Sequence, residues 1–269
     1  MILGLSHIAI NSTDLEASTQ SLTGFGYKLQ FEEKNLRNDV SKKPFLNHYA
    51  STHDISMFKK NGAISIEILM HGGQVTRPNS NLIPIFRSNK ISDNWLEKNV
   101  SDLPIAPNSI KKLEKSLKRK FLIFFDPLLG MHIFWTLLQP GEVTGLFLII
   151  LLTSNYNNLA DLMSSLRFEK SSIDIWSLLT PIPTLSAHIM LLPRIHHKDW
   201  NVRPMLDGSG CTCLAFMVRN LSQTDRWVCT MLSQIGSFKL NVDGQKLLIA
   251  LFSGVNLPFF ELIEYDKNN

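Results

Sequence analysis

The stretch GLSHIAINSTDL, Gly4 to Leu15, reads as a strand running into the first turn of a helix. A second stretch near the other end, GCTCLAFMVRNL from Gly210 to Leu221, has the same layout. Each is followed, roughly fifty to sixty residues on, by an apolar strand that carries an acidic residue: Glu67 in SIEILMH and Glu261 in FFELIEY. Burying an unpaired carboxylate is costly, so a lone glutamate in an apolar strand calls for a partner or a use.

Outward from Gly4, the chain alternates predictably. Residues 5–11 form a strand. Thr13 and Glu16, three apart, have capping-box spacing and predict a helix there, with Leu15, Ser18, Leu22 and Phe25 on one face. Gly24 and Gly26 end it. Tyr27, Leu29 and Phe31 alternate with polar residues in a second strand, and a polar loop covers 33–47. A third strand, His53 to Phe58, turns at Lys60-Asn61-Gly62 into a fourth, Ile64 to Met70. The last segment repeats this β-α-β-β-β order. It has strands at 211–218, 237–242, 247–252 and 259–265, a helix capped by Asn220 or Ser222, and an Asp243-Gly244 turn.

The middle offers two weaker copies. One contains a strand at 82–86, a helix around Trp95, a basic helix at 109–119 and a hairpin from Phe121 to Leu138. The other contains the apolar run LFLIILL at 146–152, a helix at 159–166, the segment 173–179 and a strand at 188–192, interrupted by Pro181 and Pro183. A supersecondary unit that cannot bury its own face implies paired or stacked units. The expected units are 1–73, 80–138, 143–195 and 208–266. Grouped by sequence neighbourhood they give an N-terminal pair, 1–138, and a C-terminal pair, 139–269.

Bulk properties bound the function. The chain has 269 residues, 44% hydrophobic and 19% charged, with a net charge of +4, which does not suggest a nucleic-acid partner. The three cysteines, Cys211, Cys213 and Cys229, are odd in number and clustered late, which is not a disulfide framework and suits a reducing compartment. The longest apolar run falls far short of the roughly 20 residues that cross a bilayer. With no leader motif at Met1, the expected location is the cytoplasm, as a monomer or homodimer without a membrane span.

The motifs L-x-H-I-A-I at Leu5–Ile10, D-L-E at Asp14–Glu16, G-F-G-Y at Gly24–Tyr27, S-I-E-I-L at Ser65–Leu69 and P-F-F-E-L-I-E-Y at Pro258–Tyr265 resemble the vicinal oxygen chelate (VOC) superfamily. That superfamily contains glyoxalase I, bleomycin and fosfomycin resistance proteins and extradiol dioxygenases. The resemblance is carried by the first and last units and implies an α+β fold of tandem βαβββ units whose curved mixed sheets enclose a cavity. It implies a divalent metal, Zn, Ni, Mn or Fe, polarising two adjacent oxygens of a small oxygen-rich substrate. Its ligand positions map onto His7 and Glu67 in the first unit and onto Cys213 and Glu261 in the last.

Strand parity agrees for the first unit: His7, Ala9 and Asn11 share one face, as do Ser65, Glu67 and Leu69. The candidate metal ligands are His7, Glu67 and Glu261. Glu67 and Glu261 are alternatively bases for proton transfer next to a carbonyl. Asn11 and His53 are candidate substrate contacts. Departures from the family pattern count against an iron dioxygenase, because Leu146 stands where the third unit's histidine belongs and Cys213 where the fourth's does. Trp135 stands near the second unit's carboxylate position. If the outer units pair with each other, His7, Glu67 and Glu261 converge; the sequence does not decide which units pair. The functions expected are metal-dependent lyase or isomerase chemistry, or metal-free small-molecule binding of the resistance kind. A third is partner binding through the basic run Lys111, Lys112, Lys115, Lys118, Arg119 and Lys120. His196-His197 reads as a surface loop, and His48 as a possible neighbour of the cavity mouth.

Overall fold

The computed structural model describes residues 1–72, 81–172, 174–180, 186–195, 205–254 and 256–266. Pro181, Pro183 and His196-His197 lie outside the described residues.

The first unit comprises β1 (Ile2–Asn11), α1 (Leu15–Gly24), β2 (Lys28–Arg37), β3 (Thr52–Lys59) and β4 (Ser65–Met70). Asp14, not Thr13, caps α1, its side chain accepting the Ala17 N–H. β2 extends through residues expected to be loop. The second unit holds β5 (Leu82–Ser88), β6 (Leu96–Lys98), α2 (Pro107–Leu117), β7 (Leu122–Asp126) and β8 (Met131–Leu137). The third holds β9 (Gly145–Thr153), α3 (Tyr156–Ser165), β10 (Glu169–Ser172), β11 (Ile175–Leu178) and β12 (Ala187–Pro193). The fourth holds β13 (Gly210–Val218), α4 (Leu221–Val228), β14 (Ser233–Val242), β15 (Gln245–Ser253) and β16 (Phe259–Tyr265).

These strands form two eight-stranded mixed sheets. One has the order β14-β15-β16-β13-β1-β4-β3-β2 and the other β10-β11-β12-β9-β5-β8-β7-β6. The outer units therefore share one sheet and the inner units the other. This corrects the grouping into 1–138 and 139–269, since the central pairings are β1 with β13 and β5 with β9, both antiparallel. β1 and β13 are buried along nearly their whole length, so their backbone N–H and C=O groups need partners on both edges, and each strand supplies one edge to the other.

A single apolar core lies between the sheets. Ile8, Ile10, Ile66, Ile68, Leu214 and Phe216 of the outer sheet join Phe86, Leu146, Ile149, Leu151 and Ile189 of the inner one, with Leu22 of α1 and Leu159 of α3. The second unit departs from the expected order. No helix forms around Trp95; that indole is buried and donates Nε1–H to the fully buried carboxylate of Asp126. Its helix, α2, falls between the second and third strands instead. Ile110 and Leu113 of α2 pack on Ile83, Ile85, Leu148, Ile150 and Phe134, the inner sheet's face turned away from the shared core. The basic run does not form one solvated face. Arg119 folds inward onto Glu142, Gln139 and the Leu137 carbonyl.

The two sheets are tied at the turn before β4. The buried Tyr27 hydroxyl donates to the Ile64 carbonyl at 2.8 Å and accepts the Leu146 N–H at 3.1 Å, while the Ile64 N–H reaches the Leu146 carbonyl. Gly145 makes the approach feasible. Its φ is +123°, and a Cβ there would stand 2.9 Å from that of Ala63. Tyr27→Phe strands a buried N–H and is expected to cost about 1–3 kcal/mol. Urea denaturation of the two proteins checks this, and an unchanged midpoint would show that the bridge contributes nothing.

Candidate functional site

The outer sheet's second face is not filled. It encloses a cavity of about 350 Å³. His7 stands on β1, Glu67 on β4 and Glu261 on β16, and all three line it. The register explains how they meet. Across the sheet, His7 pairs with Ala215 of β13, and Ala215 pairs with Glu261. Ala9, two residues along β1, pairs with Glu67. Neighbouring strands lie about 4.8 Å apart, so a row of His-Ala-Glu holds its two long side chains on either side of a methyl group. One ligand atom from each of His7, Glu67 and Glu261 falls within 4.8 Å of the others.

The electrostatics are those of compressed, buried charge. His7 Nε2 lies 3.4 Å from a Glu67 oxygen and has no hydrogen-bond partner, while Nδ1 sits 3.1 Å from the Ser6 hydroxyl. Burial pushes the imidazolium down, but the Glu67 carboxylate, helped by Glu261, outweighs it and raises the His7 pKa. Glu261 is pushed up to about 7, by burial first and then by the charge of Glu67, against the pull of His7 and Lys42.

Two further residues line the cavity that the sequence reading did not single out: Lys42, in a short 3₁₀ segment (Val40–Phe45), and His71, just beyond β4. His71 continues the parity of Ser65, Glu67 and Leu69, so it was legible; Lys42, in a lysine-rich loop, carried no signal. His53 lines the cavity and stacks on His71 with ring centroids 5.4 Å apart. His48 and Asn11 do not line it. Asn11 turns to the Asp207 carbonyl, to which its amide donates at 2.9 Å, and so pins the segment before β13. That corrects its expected role as a substrate contact. Cys213 lines the cavity but belongs to an apolar cluster with Ala9, Leu206, Leu251 and Phe259. Burial, then Glu261 and Glu67, hold its thiol well above the usual range, so it stays protonated. Leu146 and Trp135 both pack against the shared core. Glu264 faces elsewhere and accepts the Leu221 N–H at the start of α4.

The raised pKa of Glu261 has a sign that can be tested. A carboxyl whose folded value lies above its unfolded one contributes stability that is complete below about pH 4.5 and is lost as pH rises through 7. Glu261→Gln keeps the neutral form at every pH. In protein treated with a chelator, the variant is expected to match wild type near pH 5 and to exceed it by on the order of 1–3 kcal/mol at pH 8. Denaturant titration at both pH values measures this; a difference independent of pH would sink it.

No family model matches the sequence, and no curated protein matches it. Solved structures do. Glyoxalase I from Zea mays is 13% identical, with a TM-score of 0.54, over 97% of this chain and 92% of that one. A mutant of that enzyme gives 0.56 at 13% identity, over 97% and 93%. A candidate dioxygenase from Bacillus subtilis gives 0.57 at 13% identity, over 98% of this chain and 85% of that one. The match runs through all four units, and at such identity it is a likeness of fold: the chain has the curved-sheet, glyoxalase-like fold of the VOC superfamily.

Proposed function

We propose that this chain is a metal-dependent lyase or isomerase of the glyoxalase type, acting on a small organic molecule with two adjacent oxygens. The observation that carries this reading is the convergence of His7, Glu67 and Glu261 in one cavity. The residues fit a divalent cation on their own chemistry. One imidazole nitrogen lacks a hydrogen-bond partner, two carboxylates stand beside it, and nitrogen with two oxygens suits Zn, Ni, Mn or Fe. Three protein ligands leave positions open, as catalytic rather than structural sites do. A cation bound there supplies Lewis acidity and a template for two neighbouring oxygens.

The remaining work falls to the chain's own groups. Ser6 holds the His7 ring so that Nε2 faces the carboxylates. Glu67 and Glu261 both line the cavity, and whichever carboxylate is free of the cation is placed to take up or return a proton next to a carbonyl. Met57, Phe238, Leu240, Ile249 and Ile263 make the walls apolar, which limits water around the reacting atoms. Extradiol dioxygenase chemistry is disfavoured by Leu146 and Cys213. Three free cysteines suit a cytoplasmic protein, and no described helix is long and apolar enough to cross a membrane.

Metal analysis separates this reading from metal-free binding. Protein equilibrated with Zn²⁺, Ni²⁺ or Mn²⁺ and freed of excess is expected to hold one ion per chain by mass spectrometry. His7→Ala with Glu67→Gln lowers the affinity by at least about 100-fold, more than the roughly 10–100-fold cost of losing an outer partner. Ala215→Leu, which removes no ligand atom but fills the gap between His7 and Glu261, lowers it too. Wild-type protein that holds no ion would reject the metal reading, and unchanged small-molecule binding by His7→Ala/Glu67→Gln would favour the resistance-type alternative.

A further inference from the structure

The cavity has a second polar cluster besides the His7–Glu67–Glu261 group. Lys42 lines it with its Nζ 4.5 Å from the centroid of the Phe238 ring, and its ammonium has no hydrogen bond or ion pair among the described residues. His53 and His71 are each 3% exposed and line the same wall. Among the described residues neither His71 nitrogen has a hydrogen-bond partner, nor does His53 Nδ1. Buried polar groups in folded proteins are almost always satisfied, so three orphaned imidazole nitrogens in one cavity mark a place where something else supplies the partner.

What the partner must be follows from charge. Burial first, then the charge of the nearby Lys42 ammonium, holds both imidazoles low, at about 3 for His53 and about 4 for His71. Both rings are therefore neutral, and each has an N–H to donate. An ammonium and two imidazole N–H groups make a donor set without a matching acceptor. Taking the reading above, neutral His7 and two carboxylates balance a divalent cation, and Lys42 is left as one uncompensated positive charge in a site with apolar walls.

We infer that Lys42, His53 and His71 form an oxyanion anchor, so that the substrate is a small organic monoanion. Its carboxylate or other oxyanion is held there while its paired oxygens face His7, Glu67 and Glu261. The inference rests on the proposed metal reading for the orientation of the substrate and for the excess charge at Lys42, while the unpartnered histidine nitrogens stand apart from it. Lys42 supplies the charge and the two histidines supply direction, because an oxyanion has lone pairs for all three donors. His71→Phe accordingly weakens anion binding less than loss of Lys42.

Calorimetry on two probe pairs tests this. Zn²⁺-loaded protein is titrated with a vicinal dihydroxybenzoate and with the matching dihydroxyphenylacetate, each against its neutral amide. Metal-free protein is titrated with benzoate against benzamide. In the loaded protein, at least one acid is expected to bind 10-fold or more tighter than its amide, about 1.4 kcal/mol. Lys42→Met erases that preference while one Zn²⁺ per chain is retained, Lys42→Arg keeps it, and His71→Phe reduces it by about 3–10-fold. Acids and amides that bind wild type alike, or a preference that survives Lys42→Met, would overturn the anchor. Protein that holds no Zn²⁺ overturns the metal reading alone. The benzoate pair then decides: a benzoate preference lost in Lys42→Met upholds the anchor, and no preference overturns it.

Discussion

The antiparallel pairing of β1 with β13 is the constraint on which the rest depends. It joins strands roughly two hundred residues apart in the chain, Ile2 opposite Val218 and Asn11 opposite Gly210. Each brings its own unit with it, β4 beside β1 and β16 beside β13, both parallel. Without this seam the His7–Glu67 pair and Glu261 would belong to separate sheets. A one-residue slip in its register would turn a strand's entire cavity face into the core. The seam is held by burial on both sides, since Ile8, Ile10, Leu214 and Phe216 fill the shared core while Ala9, Cys213 and Ala215 line or adjoin the cavity face. Small residues at the centre of that face are what leave room for a site.

Much of this was legible in the sequence, and for a physical reason. Alternation with a period of two records which side of a strand faces what, so the outer units could be read almost strand by strand; β16 falls at Phe259–Tyr265 as expected. The same periodicity put His7 and Glu67 on cavity-facing positions before any coordinates. It could not say which units pair, because apolar strands from any unit are equally able to cover one another. It misread the second unit because Trp95, an aromatic amid polar residues, looks like a helix's buried position but serves Asp126, together with the Ser21 hydroxyl and the N–H groups of Leu128 and Leu129. A satisfied buried carboxylate of that kind has no linear signature. Nor has Lys42, whose importance comes only from where the 3₁₀ segment folds.

The two sheets solve one packing problem in opposite ways. Each has a face turned from the common core, and an uncovered apolar face of that size is unfavourable in water. The inner sheet covers part of its face with α2 and the segment before it, and leaves a second cavity lined by Arg87, Phe147, Ser177 and His188. The outer sheet inserts only the short 3₁₀ segment between β2 and β3, too small to fill the space, and a cavity stays. Under α2 the inner sheet is packed, with Ile83, Ile85, Ile110 and Leu113 in one apolar cluster.

A cavity that keeps buried charges must also keep them balanced in the protein alone. Isolated ions in an apolar wall are expensive, and breaking a buried pair leaves the survivor uncompensated. Here the balance is carried by protons. The His7 pKa is raised beside Glu67, Glu261 titrates near 7, and the Lys42 ammonium, disfavoured by burial, is supported by both carboxylates. Such an arrangement tolerates neither removal of a charge nor addition of one without a matching exchange. A cation entering the His7–Glu67–Glu261 group must displace protons, and the resulting positive excess at Lys42 must then draw an anion. Cation and anion sites in one apolar cavity are therefore coupled through charge neutrality, even without a moving part in the fold.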